Sequence, residues 1–153
     1  MVVCVKETTL STDQCLSLMR PDPSTGAIVT FVGYVRDFNQ DRSVQHMFLE
    51  HYPGMTERVL NNIADQAHRR WPLLGVHIQH RVGHLSVGEP IVFVGVSSAH
   101  RQTAFDACNF IIDDLKNRAP FWKQEQGLWG SHWVEGRDSD QKAAQRWKTP
   151  AAL

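Results

Sequence analysis

Two short stretches place cations at the two ends of one expected helix. In SSAHR, Ser97 to Arg101, an apolar run gives way to a helical pattern that begins with His100 and Arg101. Cations at a helix N-terminus oppose the macrodipole, which costs stability on its own. An anionic ligand there would repair the conflict and would meet free backbone N–H groups. A surface salt bridge, to Asp106 or elsewhere, is the plainer alternative. At the other end lies LKNRAPFWK, Leu115 to Lys123. Lys116 and Arg118 near a helix C-terminus are ordinary dipole partners. Lys116 nonetheless falls one turn beyond Ile112 and two beyond Cys108, which tilts it toward the buried side. Lys123 follows Phe121 and Trp122 in an expected strand. A half-buried lysine beside a second cation suits proton transfer or covalent amine chemistry. Spacing alone leaves the functional and the structural reading of both lysines open.

Geometry adds a constraint. Arg101 and Lys116 are separated by about 22 Å along a helix that rises ~1.5 Å per residue. They cannot both touch one small ligand within one chain. If both serve one site, a second copy must supply one of them, so a homodimer with composite sites at its interface is expected.

Other reactive side chains read as structural. The cysteines are Cys4, Cys15 and Cys108, an odd number without CxxC spacing. That pattern argues against a disulfide framework and for a reducing compartment. Cys108 lies on the apolar stripe of the long helix, where a free cysteine behaves as a small core residue. Cys4 in a terminal strand and Cys15 in a short helix have no histidine partner by spacing, so no persulfide carrier is expected. His77, His80 and His84 invite a metal reading. In an extended strand only His80 and His84 share a face, about 13 Å apart at ~3.3 Å per residue. Zinc ligands converge within ~2.1 Å of one ion. No metal site is expected unless the strand bends.

The elements that position these residues follow from periodicity and turn signals. Val2 to Val5 is a short strand, and Ser11 caps a short helix that ends before Pro21. The turn PDPSTG leads into the strand AIVTFVGYV. VQHMFLEHY is expected to pair with it as a hairpin across the polar loop from Arg36 to Ser43. PGMTERVLNNIADQAHRRW is a helix with Pro53 near its start and Val59, Leu60, Ile63 and Ala67 on one stripe. VHIQHRVGHL and IVFVGVSSA are strands, the second nearly all apolar and therefore central. A long helix runs from about His100 to Arg118, with Ala104, Cys108, Ile111, Ile112 and Leu115 on one side, and Pro120 ends it. Trp122 to Glu125 and His132 to Glu135 form a final hairpin. Asp138 or Ser139 caps a last helix through Trp147. Strand pairs mixed with helices indicate an α+β fold rather than a doubly wound parallel sheet.

Composition limits the function classes. The 153 residues fit one domain, 1–153, with 42% apolar and 21% charged residues. Sixteen basic and sixteen acidic residues cancel. A general nucleic-acid binder would show a basic excess. The start, MVVCVKETTL, is too short and polar for a signal peptide, and no window approaches the ~18 apolar residues of a membrane span. A soluble, cytoplasmic protein is expected.

Several longer segments carry a resemblance: TFVGYVRD, LEHYPGMTE, HRVGHLSVGE, IVFVGVSSAHR, APFWKQE and WVEGRDSDQ. In this order, and from about residue 26 to 147, the chain resembles the large, catalytic subunit of molybdopterin synthase. The resemblance implies an α/β-hammerhead fold and a homodimer within a heterotetramer. The flanking partners would be two copies of a small ubiquitin-like sulfur-carrier subunit ending in Gly-Gly. The substrate implied is cyclic pyranopterin monophosphate, and no cofactor or metal is implied. Sulfur would arrive as the partner's C-terminal thiocarboxylate, which agrees with the lack of a convincing catalytic cysteine. By position, Lys116 and Lys123 are the implied catalytic residues. Lys116 would face the partner's terminal carbonyl, and Lys123 would hold substrate and assist acid–base steps. Arg36, His100 and Arg101 would bind phosphate and pterin, the last two from the other subunit. Gln124 and Glu125 would line the substrate pocket, with Arg137 a further basic contact. Tyr34 departs from the basic residue of some relatives. Two other readings stand beside this one: a non-catalytic receptor for a ubiquitin-like sulfur carrier, and a phosphate- or nucleotide-binding regulator. The latter lacks a P-loop or dinucleotide fingerprint.

Overall fold

The computed structural model describes residues 1–39, 42–134 and 138–148. Its elements run β1 (Val2–Lys6), α1 (Thr12–Leu18), β2 (Ala27–Tyr34), β3 (Phe38–Asn39), β4 (Arg42–Ser43), β5 (His46–His51) and α2 (Met55–Arg70). Then follow β6 (Leu73–Arg81), β7 (Gly83–Ser86), β8 (Pro90–Ser98), α3 (Arg101–Arg118), β9 (Phe121–Gly127), β10 (Gly130–Val134) and α4 (Asp138–Gln145). One sheet has the order β1-β6-β8-β2, a second β10-β9-β5-β7, and β3 pairs with β4 alone. Only the β1–β6 pairing is parallel among those of the described residues. The mixture is α+β, as the order of elements implied.

Strand β8 is central, as its apolar run requires. On one face Val92, Val94 and Val96 join Val76 and Ile78 of β6 and the inner sides of α2 and α3. On the other, Phe93 packs with Leu10, Cys15 and Met19 under α1. A strand covered on both faces reads as a continuous apolar run rather than an alternating one. Helix α3 presents Ala104, Ala107, Cys108, Ile111 and Leu115 to this core, and α2 presents Leu60, Ile63, Ala64 and Ala67. The second sheet has its own cluster of Val35, Met47, Leu49 and Leu85.

The caps follow simple chemistry. The Gln14 N–H donates to the Ser11 hydroxyl at 3.3 Å. The Gly54 N–H donates to the Glu57 carboxylate at 2.6 Å, and Gly54 has φ +84°, a region that favours glycine. The cap expected at Asp138 or Ser139 falls within α4, so the residue before that helix lies outside the described ones.

Two expectations are corrected. VQHMFLEHY does not form a hairpin with AIVTFVGYV: β2 pairs with β8, while β5 pairs with β7 and β9 in the other sheet. In β5 only Met47 and Leu49 are buried, so it suits a sheet with one wet face, whereas β2 lies in the sheet whose core the helices cover. VHIQHRVGHL is also not one strand. It breaks at Val82, and Gly83, at φ +85°, starts β7 in the second sheet.

At Gly26 the chain passes so close to β8 that an added Cβ would run into the Ala99 carbonyl oxygen. That oxygen belongs to the residue just before His100. Gly26→Ala should therefore destabilise the fold by about 1–3 kcal/mol through forced backbone movement. Urea unfolding checks this, and wild-type stability would show that the approach is looser than described.

Candidate active site

The two groups of cations lie at opposite ends of α3. His100 is its N-cap with no side-chain hydrogen bond, and the first turn holds no acidic residue. Arg101 is the first helical residue, and both side chains are exposed. Asp106, the salt-bridge partner considered above, instead accepts a hydrogen bond from Gln102 Nε2 at 3.0 Å. The uncompensated positive end of a long helix thus carries two further potential cations, an arrangement that favours an anion.

Lys116 and Lys123 flank the junction of α3 and β9, which only Ala119 and Pro120 separate. Lys116 is exposed, not half-buried, and its Nζ lies 3.8 Å from Asp140 Oδ1. The buried stripe centres on Ile111 and Leu115, and the residue after Leu115 is rotated about 100° from it. Lys123 is half-buried in the middle of the second sheet, opposite Leu49 on one side and Val134 on the other.

Alternation along β9 separates the remaining residues. Glu125 shares the face of Lys123, is 3% exposed, and accepts a hydrogen bond from Asn39 Nδ2 at 2.8 Å. His132 Nε2 lies 3.9 Å from the same carboxylate. Gln124 projects to the opposite face, level with Phe48 and Trp133, and accepts from Gln126 Nε2 at 3.0 Å. The structure therefore does not bring Gln124 and Glu125 to one wall.

Arg36 is exposed, two residues beyond β2. Tyr34, at the end of β2, pairs with Pro90 at the start of β8, the end of the sheet away from His100. The Asn39–Glu125 contact, with the Trp129 indole donating to the Ser43 carbonyl, ties the loop after Arg36 to the β9–β10 hairpin. Arg36 thus belongs with Lys123 by placement, and His100 and Arg101 form a separate pair. Arg137 lies outside the described residues.

The histidines have structural neighbours. His80 is buried, stacks on Phe121 with ring centroids 3.8 Å apart, and donates from Nδ1 to the Arg81 carbonyl at 2.8 Å. With a carbonyl as partner, Nδ1 carries the proton. Burial pushes its pKa down to about 3, with Lys123 and His51 adding to the effect. His77 is also lowered by burial, and its Nε2 accepts from Gln79 Nε2 at 3.0 Å. The strand does bend, at Val82, but the bend carries His84 to the second sheet, where it lies 4.8 Å from Phe48. Sequence reasoning missed the contact of Asp140 with Lys116 and that of His80 with Phe121. Neither partner is near in sequence, so no local pattern signals them.

Two of the three thiols, Cys15 and Cys108, are unsuited to nucleophilic work. Cys108 is buried in the main core, and burial pushes its pKa up to about 12. Cys15 is buried on the inner side of α1, and its pKa is raised for the same reason. Only a thiolate attacks, so both stay inert at neutral pH.

His80 has a measurable consequence. Unfolded, its imidazole takes up a proton near 6.5; folded, only near 3. Its contribution to stability is complete above about pH 6.5 and is lost as the pH falls toward 3. Between pH 7 and pH 5 the unfolding free energy should fall by about 2 kcal/mol more in wild type than in His80→Phe. Equal pH slopes in urea titrations would contradict a neutral, buried His80.

Comparison with known proteins identifies the family. A family model described as MoaE protein matches residues 5–118. The molybdopterin synthase catalytic subunit of Pseudomonas aeruginosa is 68% identical over 123 residues, which cover 80% of this chain and 82% of the relative. A solved molybdopterin biosynthesis MoaE protein from Burkholderia ambifaria superposes with a TM-score of 0.82 at 42% identity, covering 97% of this chain and 98% of that one. A chain from Helicobacter pylori, solved as a protein–protein complex of subunits 1 and 2 of molybdopterin-converting factor, shares the fold with a TM-score of 0.72 at 21% identity, covering 90% and 92%. With identity this high over most of its length, the chain belongs to the MoaE family, that of the molybdopterin synthase catalytic subunits, and has its α/β-hammerhead fold.

Proposed function

We propose that residues 1–153 act as one domain, the catalytic subunit of molybdopterin synthase. The chain receives the C-terminal thiocarboxylate of a small ubiquitin-like subunit and directs its sulfur to cyclic pyranopterin monophosphate. Two rounds of transfer open the cyclic phosphate and build the dithiolene of molybdopterin. The observation that carries this reading is the contrast between amines and thiols. Two lysines flank one helix–strand junction, while Cys15 and Cys108 are buried and held protonated. A protein equipped in this way handles sulfur that another chain carries.

Lys116, exposed at the C-terminal turn of α3, is open to an incoming tail. Its ammonium stabilises the oxyanion that develops at the partner's terminal carbonyl, or passes a proton to it. Lys123 holds the substrate from the second sheet, with Arg36 on the loop clasped to the same sheet. His100 and Arg101 bind phosphate at the N-terminus of α3. The length of α3, 18 residues, keeps them too far from Lys116 to share its ligand, so they act in the site of a second copy. The working unit is a homodimer flanked by two small subunits. No described helix is long and apolar enough to cross a membrane, and three free cysteines fit a reducing compartment, so we place its action in the cytoplasm.

Purified chain, thiocarboxylated small subunit and cyclic pyranopterin monophosphate test the reading directly. Lys116→Ala should lower product formation at least about 100-fold, the usual scale for a lost transition-state donor, while still binding the small subunit. The triple variant Cys4→Ser, Cys15→Ser, Cys108→Ser should remain active if folded. A folded but inactive triple variant would mean that sulfur passes through this chain. Absence of any reaction in wild type would favour a mere receptor.

Gel filtration at micromolar concentration should show a dimer of the free chain. Mixing Lys116→Ala with Arg101→Ala chains should then restore activity, because one of the two composite sites regains both residues. A fully active monomer would rule out shared sites.

A further inference from the structure

We propose that Asp140 is a positioning residue for Lys116, delivered to it by helix α4; this rests on the role given to Lys116 above. The Asp140 carboxylate lies 3.8 Å from the Lys116 ammonium, with the lysine side chain 45% and the aspartate 28% exposed. So open a pair adds little to stability. What distinguishes it is how firmly the carboxylate's own backbone is held. Asn117, next to Lys116, donates through Nδ2 to the carbonyls of both Asp113 and Asp140, at 2.8 Å each. The anchor and the amine therefore share one turn of α3.

The far end of α4 is fixed as well. The buried Asp113 carboxylate accepts from Arg146 Nε at 3.2 Å, from Arg146 Nη2 at 2.9 Å and from the Trp147 indole at 2.7 Å. The Trp147 ring meets Trp71 and Phe110 edge-on, with centroids 5.7 Å away in each case. Its carbonyl accepts from Arg70 Nη1 at 2.8 Å. Helix α4 is thus tied to α3 at both ends, and the side chain it brings to the catalytic lysine is an acid.

A lysine on the protein surface samples many rotamers, and ordering it costs entropy. A carboxylate fixed beside the ammonium restricts that sampling before the partner's tail arrives. Orientation gained in advance acts on the rate of the chemical step rather than on binding. Asp140 touches no reacting atom and works through Lys116.

Steady-state sulfur transfer with the thiocarboxylated small subunit, measured for the full chain as wild type, Asp140→Ala, Asp140→Glu and Lys116→Ala, tests the proposal. Asp140→Ala should lower kcat about fivefold, the upper range for an exposed pair. Its KM for the small subunit should change less than about twofold. Its thermal midpoint should stay within about 2 °C of wild type, and Asp140→Glu should recover most of the lost rate. An unchanged kcat overturns the proposal. So does a fall in KM at constant kcat, which would mean that the carboxylate only occupies the tail's place. A loss that glutamate does not repair, or that tracks a lower thermal midpoint, assigns α4 to the fold alone and also overturns it. Wild-type activity in Lys116→Ala would remove the underlying reading, whatever the Asp140 variants do.

Discussion

Phe93 and Val94 are neighbours in β8, point to opposite faces of the sheet, and are 1% and 0% exposed. A strand with both faces dry must be covered from both sides, and much of the chain's course follows from that need. Helices α2 and α3 cover one face, and the short α1 covers the other. Because α3 leaves β8 after only Ala99 and His100, it has to turn back along the strand it has just left. That return places its N-terminal cations at one end of the sheet and its C-terminal lysine at the other. Each apolar side chain so buried contributes about 1.5–3 kcal/mol, which anchors α3 far more firmly than any surface ion pair.

Much of this was legible in the sequence because it is local. Ser11 announces its helix, Pro120 ends α3, and the apolar run of β8 states its central position. Pairing partners are a different matter. Nothing within AIVTFVGYV or VQHMFLEHY says that the first will pair with a strand some sixty residues later. The short, polar connection made a hairpin the economical expectation, and that connection instead folds on itself as β3 and β4. The site was legible at the level of residue type and less so at the level of contacts. Helical spacing tilted Lys116 toward the core because Cys108 and Ile112 lie there, but the stripe centres on Ile111 and Leu115. The opposite directions of Gln124 and Glu125, by contrast, follow from the period of a strand once its limits are known.

The second sheet has a separate role from the first. Its buried face holds Glu125, a carboxylate that reaches the loop carrying Arg36 through Asn39. Its position two residues along β9 from Lys123, on the same face, links the half-buried amine to that loop through one strand. His80 comes from the end of β6, on the first sheet, and stacks on Phe121 at the start of β9. The two sheets therefore meet at an aromatic contact two residues from Lys123. Keeping the imidazole neutral there avoids a buried positive charge beside the half-buried lysine, which a low-dielectric setting would penalise heavily.

Helix α3 also serves as a ruler. Its 18 residues join two sets of charges, and both its length and its rotational setting are fixed by the stripe that faces β8. Inserting one residue would advance everything beyond it by ~1.5 Å and turn it by about 100°. The stripe would then leave the core, or Lys116 would leave Asp140. Only whole turns preserve the facing, and each would lengthen the span by ~5.4 Å. The distance between the two ends can therefore change only in coarse steps, so any chain built on this plan has a quantised choice of how far apart its two half-sites stand.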